Sequence, residues 1–244
     1  MNKLYFYLFL LFSVNCFSQQ YDKVYIEKSK IDKNNIIYSI GNNFIYEVKI
    51  IINDNLYHIN KEHKDSLTLE TENALKEIQL YVEKAKLFGR TNKNQTEIKY
   101  NDYPNPTFRV STGLVENEKN IWFHPPRFGF LKALETSPFP YIKLNEQIGY
   151  KWSDEMLISE YWSDKRWGVW KGKLLLKYNY EIIGQEVMET KLGSLNVTKV
   201  YATASSEIGK SSLVSYFNEK YGFIKFEYTL FNDNKIILEL KEVK

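Results

Sequence analysis

The spacing of turn residues in the last ninety or so positions constrains this chain more than any other feature. From Trp152 onward, strand-like runs recur at intervals of roughly ten residues. They are Glu155 to Tyr161, Trp170 to Ile182, Glu186 to Leu192, Asn196 to Ser205, Ser212 to Phe217, Gly222 to Leu230 and Lys235 to Val243. Turn signals separate them at Ile183-Gly184, Gly193-Ser194, Ile208-Gly209, Asn218-Glu219-Lys220 and Asn232-Asp233-Asn234. Short strands joined by local turns predict an antiparallel meander. Phe223-Ile224-Lys225-Phe226-Glu227-Tyr228 shows the alternation of a sheet with one wet face. A long twisted sheet of this kind curls toward a half-barrel, and its apolar face needs a cover.

The first half reads as mixed. Phe44 to Ile52 is β-branched and aromatic and predicts a strand, with Leu56 to Ile59 pairing back across Asn53-Asp54-Asn55. Ala74, Leu75, Ile78, Val82 and Ala85 recur at helical spacing before Gly89. They predict one main helix over residues 71–88, a candidate cover for the sheet. Residues 90–106 are polar and proline-broken and read as a linker or mobile loop. Thr107 to Leu114 and Asn120 to Phe123 read as a hairpin, and Phe128 to Glu135 as a short helix ended by Pro138-Phe139-Pro140. The fold class expected is α+β, mostly antiparallel β. Residues 19–106 form an α+β segment, continuous with a curved meander over residues 107–244. Aromatic content supports sheet: 19 Tyr, 15 Phe and 5 Trp make 16% of the chain. No fixed-period repeat indicates a solenoid or propeller.

One segment carries a resemblance. Leu192-Gly193-Ser194-Leu195 leads into Val197-Thr198-Lys199-Val200, and Ser215-Tyr216-Phe217 is followed by Tyr221-Gly222-Phe223-Ile224-Lys225. Over residues 170–243 this order resembles the meander of uncharacterised bacterial periplasmic domains shaped like lipoprotein-carrier half-barrels. The resemblance implies a curved sheet and an exported protein. It implies no catalytic residue.

The N-terminus reads as an address. Met1-Asn2-Lys3 is a short positive start, Leu4 to Val14 is apolar apart from Ser13, and Asn15-Cys16-Phe17-Ser18-Gln19 follows with small side chains at Cys16 and Ser18. That is the order of a secretory signal over residues 1–18, cut after Ser18. The run is shorter than the roughly 20 apolar residues a membrane-spanning helix needs, and no other stretch reaches that length. Export to the periplasm or outside the cell follows. The alternative is lipid anchoring through Cys16, the only cysteine, although Asn15 fits a lipidation signal poorly. Cleavage after Ser18 leaves no thiol, which removes disulfide and thiol-nucleophile chemistry.

Charge excludes more than it suggests. The formal net charge is +3, and the basic residues are 29 Lys against 4 Arg. Nothing here implies a nucleic-acid partner. Gly209-Lys210-Ser211 lacks the earlier glycine of a phosphate loop, since position 204 is Ala. His58 and His63 do not have metal-site spacing, and no metal or cofactor is expected. No Gly-x-Ser-x-Gly elbow is present, and no catalytic residue is assigned.

Two stretches stand out as candidate ligand contacts. Trp122-Phe123-His124-Pro125-Pro126-Arg127 reads as a rigid corner that could present His124 and Arg127. Trp152, Trp162, Trp167 and Trp170 crowd the next stretch, where Trp-Ser-Asp occurs at 152–154 and 162–164. Tryptophans stack on sugar rings or line apolar cavities, and they also fill cores. The candidate binding residues are therefore Trp122, His124, Arg127, Trp152, Trp162 and Trp167. Asp154, Glu155, Glu160 and Asp164 are the carboxylates a glycan hydrolase would draw on. The function expected first is non-enzymatic binding of an apolar or lipid-like molecule. An envelope protein-interaction module comes second, and a glycan hydrolase third.

Overall fold

The computed structural model describes residues 31–84 and 94–244. The signal segment, Cys16 and the end of the helix expected at 71–88 lie outside those residues. Within them the chain forms fifteen strands, and all their pairings are antiparallel. In chain order they are β1 (Asn43–Ile52), β2 (Asn55–Asn60), β3 (Leu67–Thr68), β4 (Ala74–Leu75) and β5 (Glu77–Glu83). β6 (Thr96–Asp102), β7 (Val110–Glu116), β8 (Asn120–Phe123), β9 (Tyr141–Lys143) and β10 (Lys151–Ser159) follow. The last five are β11 (Lys173–Thr190), β12 (Gly193–Ser206), β13 (Gly209–Asn218), β14 (Gly222–Thr229) and β15 (Lys235–Val243). The ladder runs β10-β11-β12-β13-β14-β15-β1-β5-β6-β7-β8-β9, and β2, β3 and β4 make a flap beside β1.

The C-terminal meander forms as the turn spacing requires. Strand β15 has the expected bounds, and Ser206–Gly209, Asn218–Gly222 and Thr229–Lys235 close the hairpins. One break does not occur. Ile183-Gly184 is a bulge inside a single strand of 18 residues, not a turn between two strands. Glycine permits both outcomes, and the pairing of β11 with β12 on both sides decides for the bulge.

The expected helix at 71–88 is not there in the described part. Residues 77–83 are strand β5, with Ile78, Leu80 and Val82 buried between half-buried neighbours. Spacing of four belongs to both periods, so Ile78 and Val82 fit a helix and a strand alike. Pairing with β1 on one side and β6 on the other settles it as sheet. The linker expected at 90–106 is likewise corrected, because Thr96–Asp102 is strand β6. Its Ile98 and Tyr100 point inward, enough to seat a strand that is otherwise polar. The longest helix among the described residues is instead the eight-residue 3-10 turn Gly129–Thr136, where a short helix was expected.

Side chains show how far the sheet curls. Phe123 on β8 packs edge-on against Phe223 and Phe226 of β14, at 5.2 and 5.4 Å between ring centres. Five strands separate β8 from β14 along the ladder. Tyr141 on β9 meets Trp152 of β10 and Tyr180 of β11 at 5.6 and 5.5 Å. The two ends of the sheet therefore face each other as a half-barrel, joined by aromatic packing. No ladder links β9 to β10.

The space inside is filled by the chain between β8 and β9. From Ile121 to Ile142 only Arg127 and Lys132 are not buried. Irregular chain rarely lies inside, because its backbone polar groups need partners. The sheet supplies them. Tyr100 Oη donates to the His124 carbonyl at 2.9 Å, Ser211 Oγ to that of Thr136 at 2.9 Å, and Tyr180 Oη to that of Phe139 at 3.2 Å. Two backbone amides, of Phe123 and Phe130, donate to Pro140 and Lys64 carbonyls. A plug of Phe130, Leu131, Leu134 and Phe139 thus covers the apolar face, the part expected of a helix.

Candidate functional site

The six candidate residues do not gather in one place. Trp122 is 2% exposed, with its ring 5.8 Å from that of Phe139. His124 is buried beside it. Its Nδ1 lies 2.9 Å from the Pro125 carbonyl, and its Nε2 lies 3.3 Å from Glu135 Oε1. Trp167 is buried against Phe130, and its Nε1 donates to the Trp162 carbonyl. Packing accounts for these three side chains.

Arg127 and Trp162 meet at the rim. The guanidinium lies 5.9 Å from the indole centre, and Nη2 donates to the Ser111 carbonyl at 3.3 Å. Trp152 stands apart from the other five. It stacks on Tyr180 at 5.2 Å with the rings 4° from parallel.

The nearby carboxylates have structural partners. Asp154 is buried and its Oδ1 accepts the Glu155 amide. Glu160 accepts the Gly172 amide. Asp164 is held below the usual carboxylate range, first by its hydrogen bond from Arg166, which reaches both carboxylate oxygens. His58 sits on β2, and burial lowers its pKa. Among the described residues no three His, Cys, Asp or Glu side chains group as metal ligands would. No helix among them is long and apolar enough to cross a membrane.

A cavity of about 610 Å³ opens where the two ends of the sheet face each other. None of the six candidates lines it. Ile121 and Ile142 come from β8 and β9, Leu144 from the chain after β9, and Ile182 and Phe217 from β11 and β13. Ile36 and Ile37 close it from the N-terminal side, and Ile36 is 85% exposed. Around this apolar floor stand Glu118, Lys143, Glu146, Gln185, Thr198 and Glu219. Its size lies within the range of small-molecule sites.

The strap over the cavity is fixed from below. Glu116 Oε1 accepts the amides of Ile36 and Ile37, and Oε2 accepts that of Tyr38, all within 2.8 to 2.9 Å. Tyr38 is fully buried, and its Oη accepts the Phe223 amide at 3.0 Å. Gly222 makes that approach possible. Its φ is +77°, and a Cβ there would fall 2.4 Å from Tyr38 Oη. One carboxylate and one tyrosine therefore seat residues 36–38. On the rim, Lys143 Nζ donates to Asn120 Oδ1 at 2.7 Å and lies over the Tyr141 ring.

A second, shallower depression of about 460 Å³ lies on the sheet across β10, β11 and β12. Lys151, Ser153, Asn179, Glu181, Tyr201 and Thr203 line it, with Trp152 and Tyr180. Of the six candidates, only Trp152 borders either cavity.

No family model matches the chain, and no curated protein does. Solved structures align with it at low identity. A protein from Bacteroides fragilis described as exported, with a YmcC-like fold, is 11% identical at a TM-score of 0.43, over 84% of this chain and 96% of that one. A protein from Parabacteroides distasonis described as a lipoprotein is 12% identical at 0.47, over 85% and 96%. The hypothetical lipoprotein YmcC of Escherichia coli is 8% identical at 0.39, over 83% and 84%.

Proposed function

We propose that the protein is an exported binder of a single-chain amphiphile, held with its apolar tail in the cavity between the sheet ends. The observation that carries this reading is that cavity: an isoleucine, leucine and phenylalanine floor under a polar rim. An apolar tail gains roughly 25 cal/mol for each Å² it removes from water. The rim then chooses the head group. Glu118, Glu146 and Glu219 stand there against Lys143, which already binds Asn120. A neutral or cationic head is favoured over a carboxylate. Export rests on the first eighteen residues.

Native mass spectrometry of the chain from a host that processes leaders tests both parts. The expected species begins at Gln19 and carries an extractable adduct. Titration with dodecylamine and laurate then addresses the cavity, with the amine expected to bind tighter. Gln185→Trp, at an exposed rim position, fills the entrance and should weaken amine binding at least about tenfold. Binding unchanged by Gln185→Trp would remove the cavity from the reading. A chain that keeps residues 1–18 would remove export.

A further inference from the structure

The outer face of β10 to β13 carries an ordered pattern unrelated to the cavity between the sheet ends. Cross-strand register puts Ser153 opposite Asn179, Asn179 opposite Thr203, and Thr203 opposite Ser212. Four short polar side chains therefore form one row, crossing three strand spacings or about 14 Å. The row on one side is taller: Lys151, Glu181 and Tyr201. So is the row on the other, where Glu155 faces Lys177. Short side chains between tall ones make a trough, and the 460 Å³ depression lies in it.

We propose that this trough binds a neutral saccharide chain. Its chemistry narrows the choice. The two charged residues that line the depression pair off: Lys151 Nζ lies 3.3 Å from Glu181 Oε2. A polyanion finds no net positive field there. The floor is hydroxyl and amide, which an apolar ligand would leave unpaired at a cost. A peptide strand finds no ladder to join, because β11, β12 and β13 are each paired on both sides. Uncharged sugar hydroxyls match the floor in both donor and acceptor character. Tyr201, 40% exposed on the trough wall, offers the ring face on which a pyranose packs its C–H groups.

Titration calorimetry of the full processed chain with cellohexaose, maltohexaose and chitohexaose tests the assignment. At least one should bind. Tyr201→Ala should weaken it about tenfold or more, and Asn179→Ala about fivefold. Raising salt to about 0.5 M should leave the affinity unchanged, since no net charge is engaged. Both substitutions are at the surface, and an unchanged melting temperature verifies that the variants fold. Tyr161→Ala removes an aromatic that is 77% exposed elsewhere and should leave binding intact. Gln185→Trp should also leave it intact, which separates this site from the amphiphile cavity. The proposal fails if none of the three hexasaccharides binds. It fails equally if binding survives Tyr201→Ala, or if it collapses with salt.

Discussion

Two stretches of this chain reverse the usual link between regular structure and burial. The plug, residues 121–142, has strand only at its two ends and one 3-10 turn between them, yet it is almost wholly interior. The far part of the β11–β12 hairpin is a continuous ladder from Gly184–Lys199 to Thr190–Gly193, yet no residue from 183 to 196 is buried. The hairpin satisfies its own backbone, so it stands with little burial, Met188, Leu192 and Leu195 leaning on the core from one side. The plug satisfies little of its own and borrows Tyr100, Tyr180 and Ser211 from the sheet. Order in the plug is therefore imposed by the sheet. In the hairpin the backbone bonds are local, secured at the tip by Thr190, whose hydroxyl donates to Gly193 and accepts from Leu192.

This contrast can be broken in order of size. The largest effect comes from alkali. Tyr38, Tyr46, Tyr100 and Tyr228 are fully buried, and burial raises the pKa of each above the ordinary 10.0. The folded chain keeps these four protons where the unfolded chain releases them. Stability is complete below that range and falls as pH rises through it, by about 1.4 kcal/mol per pH unit for each tyrosine. Denaturant melts between pH 9 and 11 (about the phenol range) should show a slope of several protons. A slope of one proton or less would mean the interior is wet.

Next comes the plug's own pair. Glu135→Ala leaves His124 Nε2 facing a void and should cost about 1 to 3 kcal/mol. Glu135→Gln, whose amide donates to the same nitrogen, should restore most of it. Equal losses in both variants would show that the pair does not fix the plug. Tyr100→Phe strands the His124 carbonyl and should cost about 2 kcal/mol. Tyr228→Phe has the opposite sign, because Tyr228 Oη is buried with no hydrogen-bond partner among the described residues. Chemical denaturation should show a gain of about 1 kcal/mol. The smallest effect belongs to the hairpin. Lys191→Ala breaks the 2.6 Å pair with Glu47, which is largely solvent-facing, and should change stability by less than about 1 kcal/mol. A loss as large as that of Glu135→Ala would make the hairpin structural and end the comparison.

The sequence reads well where structure is local. Asn218 to Lys220 and Asn232 to Asn234 mark their turns without help from the rest of the chain. It reads poorly where a distant partner decides. Ile78 and Val82 suit two periods, and β1 and β6 choose between them. Ile98 and Tyr100 form a strand only because β5 and β7 flank them. The site shows the same divide. Rare residue types drew the reading to Trp122, His124 and Trp167, which the fold buries. The cavity is assembled from ordinary residues such as Ile121, Ile142, Ile182 and Phe217. Nothing local distinguishes them from any other inward-facing strand residue, because the curl alone brings them together.

One small contact has a consequence for how many copies of this protein can share a solution. Strand β10 ends the ladder, with β11 as its one partner, and its open side is a template for another chain. Asp154 turns its carboxylate back onto the amide of Glu155. A newcomer pairing with the Glu155 amide would have to displace that side chain and leave a buried acceptor without its donor. At that one position the open edge is capped by a side chain of its own strand.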